Sequence, residues 1–289
     1  MLATVLLPIA LGIIMLGLGL SLKVEDFTRV LKFPKAVLVG LICQMLILPF
    51  ICFGIAIGFG LKAELAVGLM LLAASPGGAT ANLFSHLSNG NVALNITLTA
   101  VNSVLAIFTL PLIVNISLGY FMADNDTILP MQFKKIIEVF AIVLLPVIIG
   151  MLINAKFPNF SKKSEKPFKI ASAIFLVAII ILAVLKDRDK ILEYFQQVGL
   201  AALVFNMASM SIGYFIPILL QIGKKEAIAI GMEIGIHNGT LAIFIALNVL
   251  DNPAMSFPPA VYSLIMFFTA AAFGWWVSRK NNPEHNSKT

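Results

Sequence analysis

Apolar residues run through this chain in blocks of about 20, separated by short clusters of lysine, asparagine, proline and acidic residues. A helix of that length rises far enough to cross a hydrocarbon layer about 30 Å thick. Nine segments fit, at 2–22, 36–60, 65–87, 91–118, 136–155, 169–186, 198–222, 225–250 and 257–278. The pattern predicts an all-α polytopic membrane protein with nine transmembrane helices. Nine is odd, so the termini are expected on opposite sides.

Two of these segments carry interruptions at mid-length. One contains Ser75-Pro-Gly-Gly78, and the other contains Gly235 and His237-Asn-Gly239. Proline lacks a backbone donor and glycine weakens a helix, so both segments are predicted to unwind at mid-depth. Non-helical backbone is tolerated there only where it is buried in protein or lines a cavity. The segments also echo one another, Glu64-Leu-Ala-Val-Gly68 against Glu226-Ala-Ile-Ala-Ile-Gly231, and enter from opposite faces as the third and eighth spans. The expectation is a pair of inverted repeats whose discontinuous helices cross at a binding site.

Composition and charge sharpen this picture. With 60% hydrophobic and 12% charged residues and a mean hydropathy of +0.98, the chain lies far outside the soluble range. The first apolar run continues through Leu20 without a basic leader or a small-residue cleavage site, so no cleavable signal peptide is expected. The net charge of +6 sits in loops and reports orientation rather than nucleic-acid affinity. Placing loop 23–35 inside also places 155–169, Lys224, Lys225 and the tail there, giving 14 basic residues inside and 6 outside. The expected orientation is therefore N-terminus outside and C-terminus cytoplasmic, with 281–289 a polar tail. Trp275-Trp276 before Arg279 fits an aromatic anchor at the inner interface. Cys43 and Cys52 share one apolar segment and read as buried spectators, not as a disulfide or a metal site.

The candidate chemistry centres on Glu233, the lone acid of an apolar run from Ile228 to Leu247. At 1.5 Å per residue it lies about 12 Å from the Lys225 end, near mid-depth, where a charge costs at least about 2.5–3.5 kcal/mol. No Lys or Arg lies deep in any apolar segment, so the compensating charge is a proton or a bound cation. Asn91, Asn95, Thr99 and Asn102 form one helical stripe, and Asn82 stands four residues past Gly78. Their neutral oxygens suit a hard cation such as sodium. Ion coordination is favoured for Asn82, Asn95 and Thr99, and interhelical hydrogen bonding for Asn102 and Ser103. His237, four residues after Glu233, is read as a neutral ligand, a proton carrier or a packing residue. Gln44, followed by Pro49, is read equally as ligand or packing amide. Glu138, beside Lys134 and Lys135, is expected to be solvated.

Several stretches resemble the bile acid:sodium symporter family, and the resemblance runs through essentially the whole chain. They are Met15-Leu-Gly-Leu-Gly-Leu-Ser-Leu-Lys-Val-Glu-Asp-Phe27, Phe33-Pro-Lys followed by Gln44 and Pro49, Pro76-Gly-Gly-Ala-Thr-Ala-Asn82 with Gly90-Asn-Val-Ala-Leu94, and Gly231-Met-Glu-Ile-Gly-Ile-His-Asn-Gly239. The resemblance implies a core domain, about 36–118 and 198–278, and a panel domain, about 1–35 and 136–186, within one transporter unit over 1–280. It implies one sodium site on Asn82, Asn95, Thr99 and Glu233, with Ala81 contributing only backbone. A second would use Gln44, Glu233, His237 and the backbone carbonyls of Ile234 and Ile236. Ala79, Thr80, Asn238, Met266 and Phe267 occupy the positions expected to meet substrate. The chain departs from the family pattern in three places. Ala79, Thr80 and Ala81 stand where Thr-Ala-Ser is commoner, His237 stands where Gln is usual, and Met266-Phe267 replaces a His-Asn pair.

The expected function is sodium-coupled symport of a small organic anion by alternating access, with one or two Na+ ions. Two sodium ions on one glutamate leave a local charge of +1, and the half-helix after Gly78 points its N-terminal amides at the midplane. Both favour a carboxylate or sulfonate. Proton-coupled anion transport through Glu233 and His237 is the alternative within this class. A non-transporting scaffold or receptor of the same fold is the alternative outside it. An intramembrane enzyme is disfavoured by the lack of paired intramembrane aspartates, His-Glu-x-x-His, or a serine with a basic partner. The expected setting is a bacterial inner membrane, with the lipid bilayer and the anion as partners and no nucleic acid.

Overall fold

The computed structural model describes residues 2–123, 133–164, 167–168, 170–171, 174 and 188–279. The expected span at 169–186, apart from isolated positions, and the tail 281–289 lie outside the described residues. All named regular elements among the described residues are helical. The first, α1, is Leu2–Ser21, followed by the short α2, Val24–Thr28. Helix α3, Pro34–Ile42, passes through a π-helical turn at Cys43–Ile47 into α4, Leu48–Gly58, as one rod. Next come α5, Ala63–Ala74, α6, Ala79–Leu87, α7, Val92–Phe121, and α8, Phe133–Lys156. The chain ends with α9, Arg188–Leu219, α10, Lys224–Gly235, α11, Gly239–Asn248, and α12, Phe257–Arg279.

Among the described residues, four stretches are long and apolar enough to cross a membrane: Pro34–Gly58, Val92–Phe121, Glu193–Leu219 and Pro253–Arg279. The two segments with mid-length Pro and Gly signals each split into half-helices, of 12 and 9 residues for α5 and α6 and of 12 and 10 for α10 and α11. One boundary departs from the sequence reading by a wide margin. Helix α9 is already formed at Arg188, ten residues before the expected 198, because hydropathy marks only the apolar part of a helix. Its polar first turns favour helix without favouring lipid. Glu193 on that extension meets Lys62 at 2.6 Å, ahead of α5. That hydrogen bond holds the exposed Lys62 above the usual lysine range.

The loops that the charge count assigns to one side share one face. Lys35 donates to the Leu220 carbonyl at 2.6 Å. The Asn91 amide N–H donates to the Lys225 carbonyl at 2.8 Å, and its side chain donates to Glu226 at 2.9 Å. Burial runs opposite to that of a water-soluble domain. Phe108, Leu112 and Ile116 form an exposed apolar stripe along α7, while Asn95, Thr99 and Asn102 on the same helix are fully buried. An apolar outside around a polar centre is the arrangement lipid requires.

Small residues set the closest approach between helices. On α1 and α8, a Cβ at Gly19 would overlap the Val147 backbone, and one at Gly150 would press on the backbone of Leu16, Gly19 and Leu20. Such close backbone packing is how membrane helices associate without a hydrophobic drive between them. Gly150→Val is expected to push α1 from α8, lowering stability by about 1–3 kcal/mol, read as a lower midpoint of thermal unfolding in detergent.

Candidate functional site

At the middle of the molecule the two interrupted helices meet backbone to backbone. The Gly78 N–H donates to the Ile236 carbonyl at 2.8 Å, and the Asn238 N–H donates to the Pro76 carbonyl at 2.9 Å. These bonds form an isolated antiparallel bridge between Gly77 and His237. The helix breaks free these groups, and each break satisfies the other. Around the bridge lie the carbonyl ends of α5 and α10 and the amide ends of α6 and α11. Two partial negative and two partial positive charges are thus concentrated at one point.

Glu233, two residues before the end of α10, is 0% exposed. The Thr99 hydroxyl donates to its Oε2 at 2.6 Å, and the Asn102 amide donates to its Oε1 at 3.3 Å. The same hydroxyl also lies 3.1 Å from the Asn95 carbonyl, so the carboxylate takes the shorter bond. A Cβ at Gly77 would overlap the carboxylate, so only glycine admits the acid at the first break. Asn95 donates to the Ala229 carbonyl at 2.7 Å, fixing its amide against α10.

With their amino groups so committed, several side-chain oxygens lack donors. Buried and without a partner are Oδ1 of Asn82, Asn95 and Asn102 and Oε1 of Gln44. A buried carbonyl oxygen without a partner is costly and needs a water or an ion to explain it. Asn82 on α6, Asn95 and Thr99 on α7 and Glu233 on α10 supply neutral oxygens and one carboxylate from three elements. That donor set fits a hard monovalent cation. Among the described residues no group of three or more His, Cys, Asp or Glu side chains gathers as a softer metal would want.

His237 does not share a helical face with Glu233, contrary to the four-residue spacing. Helix α10 stops at Gly235, and the bridge turns His237 to the other side. Its Nδ1 lies 3.2 Å from the Ser75 carbonyl, which also accepts from Gln44 Nε2 at 3.0 Å. Nδ1 also lies 3.5 Å from Gln44 Nε2, and Nε2 has no partner among the described residues. The ring stacks on Phe205 at 5.8 Å and meets the Tyr262 ring at 5.4 Å. Ile234 and Ile236 are both buried, and the Ile236 carbonyl already serves the bridge. The sequence reading missed Asn206 and Tyr262, which donate to the Gly235 carbonyl at 2.9 and 3.0 Å. Asn206, an amide within an apolar span, was the available clue to this clamp.

Ala79 and Thr80 open α6, and Asn238 caps α11 through Leu241 N–H at 3.0 Å. Met266 is buried in α12, and Phe267 stacks on Phe84 at 6.1 Å. A cavity of about 620 Å³ opens beside α6, lined by Asn82, Leu83 and His86 together with Ser21, Lys23, Asn154 and Lys162. Among the described residues its wall carries two lysines and a histidine and no acid. None of Thr80, Asn238, Met266 and Phe267 lines it, whereas Asn82 belongs both to this wall and to the unpartnered oxygens.

Residues 8–194 match the model of the sodium bile acid symporter family. The chain is 29% identical over 275 residues to an uncharacterized sodium-dependent transporter of Bacillus subtilis, covering 95% of this chain and 83% of that protein. It is 30% identical over 285 residues to a probable chloroplastic sodium/metabolite cotransporter of rice, covering 96% of this chain and 65% of the relative. It therefore spans just under two thirds of the plant protein. Against the human ileal sodium/bile acid cotransporter it is 26% identical over 280 residues, covering 95% of this chain and 79% of the relative. The relatives, unlike the family model, extend over the second crossing helix.

Thr99→Val removes the hydroxyl from the Glu233 carboxylate and leaves helix propensity nearly unchanged. Loss of a buried hydrogen bond to a charged group is expected to cost about 1.5–3 kcal/mol, measured as a lower unfolding midpoint in sodium-free buffer.

Proposed function

The chain belongs to the sodium bile acid symporter family, and on that premise we propose that it carries a small organic anion across a membrane with sodium, by alternating access. The family and the relatives are transporters, not enzymes. The observation that carries the proposal is Glu233. It is fully buried, forms no ion pair among the described residues, and is hydrogen-bonded by Thr99 and by Asn102, whose own oxygen lacks a donor.

Sodium held by Glu233, Thr99 and the free oxygens of Asn95 and Asn82 supplies the missing positive charge. It also draws α10, α7 and α6 together at the crossover. The anion enters the cavity beside α6, where Lys23, His86 and Lys162 attract it. The positive-inside bias puts Lys23 and Lys162 in the cytoplasm, so this shape is the inward-facing one. On the other side of the crossover, Asn238, Leu241 and Ile245 close against Met15, Leu18, Val143 and Val147, leaving a void of about 20 Å³. Movement of a panel containing α1 and α8 against a core of residues 36–118 and 198–278 would open that side and shut the first. The scheme uses nine spans, with the N-terminus outside and the C-terminus in the cytoplasm, in a bacterial inner membrane.

The proposal is tested by thermal unfolding of wild type and Glu233→Gln in sodium and in potassium at matched ionic strength. A ligand bound only to the folded state stabilises by about 2.7 kcal/mol at 100 times its Kd. Wild type is expected to unfold at a higher temperature in sodium, and Glu233→Gln to show no difference. In proteoliposomes, anion uptake is expected to require an inward sodium gradient and to vanish in the variant. A wild type indifferent to sodium in both assays would overturn the reading.

A further inference from the structure

Helix α1 ends at Ser21 and α2 begins at Val24, which leaves Leu22 and Lys23 between them. Helix α1 packs along α8, whereas α2 packs against α7. The chain thus passes from one packed group of helices to another within two residues. Leu22 still donates its N–H to the Gly19 carbonyl of α1 at 3.1 Å, and the Asp26 N–H of α2 donates to the Lys23 carbonyl at 3.0 Å. The peptide unit between Leu22 and Lys23 belongs to both sides, and it is gripped at both ends. Its oxygen accepts from Asn154 Nδ2 on α8 at 2.9 Å, and its N–H is donated to Asp26 Oδ2 on α2 at 2.7 Å.

Leu22, Asp26 and Asn154 are all buried, so water does not compete for either grip. The two are unequal. The other oxygen of Asp26 is paired with Arg29 at 2.6 Å, so the carboxylate is held in place from within its own segment. Its bond to Lys23 is charge-assisted and closes over three residues, so it travels with α2. Asn154 supplies one neutral amide bond, about half as strong, and that bond reaches from α8 to the connection. Any sliding of α8 past α7 loads both grips, and the one to Asn154 yields first. Lys23 and Asn154 also line the cavity of about 620 Å³ beside α6, so the gripped peptide forms part of its wall.

We propose that the Leu22–Lys23 peptide is the pivot on which panel turns against core, and that Asn154 is the positioning residue that latches it in the inward-facing shape. Asp26 keeps Lys23 with α2 and the core in both orientations. Asn154 holds the Leu22 carbonyl only while the cavity beside α6 is open. The inference rests on the alternating-access reading and deepens it. It places α2 with the core, so the boundary between the two bodies falls at residue 23 and not near 36. Asn154 acts through the Leu22 carbonyl on the position of Lys23, and no contact with the anion is required of it.

The test reads orientation without needing the anion. Ser103 lines the small void on the closed side of the crossover, and the native Cys43 and Cys52 are fully buried. Ser103→Cys therefore reports outward opening through its rate of labelling by a membrane-impermeant maleimide on right-side-out vesicles, in sodium and in potassium. In that background Asn154→Ala is expected to raise the rate about fivefold, the population shift that follows loss of one neutral hydrogen bond from one of two states. Asn154→Leu, which removes the donor at similar size, is expected to do the same and decides the matter where the alanine variant does not fold. Asp26→Asn weakens a bond present in both orientations, so its labelling rate is expected to stay within about twofold while its unfolding midpoint falls. Unchanged or slower labelling in the Asn154 variants, or an equal rise in Asp26→Asn, would overturn the latch and leave both residues as packing groups. Labelling of Ser103→Cys that is the same in sodium and in potassium would instead overturn the sodium-coupled reading.

Discussion

Within a hydrocarbon layer no water satisfies a backbone N–H or C=O, and the centre of this molecule follows from how that demand is met. Pro76, Gly77 and Gly78 end one helix and Ile236, His237 and Asn238 end another, each releasing amides and carbonyls at mid-depth. Neither break is tolerable alone. The pair of bonds from Gly78 to Ile236 and from Asn238 to Pro76 makes them tolerable together. The price of two interrupted helices is offset by a rigid crossing that fixes four helix ends within a short distance of one another.

Electrostatics then follow from geometry. Carbonyl ends of α5 and α10 favour cations and amide ends of α6 and α11 favour anions. The acid at Glu233 fits against Gly77 because that residue has no side chain, and its hydrogen bonds reach across to Thr99 and Asn102 on α7. Replacement of Gly77 by a larger residue and replacement of Thr99 by an apolar one act on the same carboxylate from opposite sides. The asymmetry between donors and acceptors is the informative part. Amide nitrogens of Gln44, Asn95 and Asn102 all have partners, while their oxygens do not. A purely structural polar core satisfies both ends of its amides. One that leaves oxygens open in several side chains has acceptors to spare, as the proposed cation site requires.

Much of this was legible in the sequence, and the physical reason differs by element. Both breaks were readable because Pro and Gly act locally, through a missing donor and a missing side chain. The stripe of Asn95, Thr99 and Asn102 was readable because α7 is uninterrupted, so its 3.6-residue period holds throughout. The relation of His237 to Glu233 was not, since periodicity fails wherever a helix ends between two residues. The start of α9 was missed because hydropathy measures affinity for lipid, and a helix is free to outrun the apolar layer. Asn102, expected to hydrogen-bond between helices, does so to Glu233, and that it also lines a small cavity depends on which end of the amide faces which neighbour. The cavity beside α6, with Lys23, His86, Asn154 and Lys162 drawn from distant segments, has no local signature at all.

On the proposed reading, coupling between ion and anion needs a shared element with two uses, and α6 is that element. It is nine residues long, begins beside the bridge, and carries both Asn82, whose side-chain oxygen is buried without a partner, and His86 into the wall of the basic cavity. An ion that engages Asn82 restricts α6 in the orientation that presents its N-terminal amides and His86 to the cavity. An anion in the cavity in turn holds α6 where Asn82 faces the ion. The two affinities must then be raised by the same factor, because a coupling free energy between sites is reciprocal. A short half-helix that begins beside the bridge can reorient as a unit. A continuous helix through the same depth would have to move its whole length, and it would offer neither the free amides nor the free carbonyls on which both ligands depend.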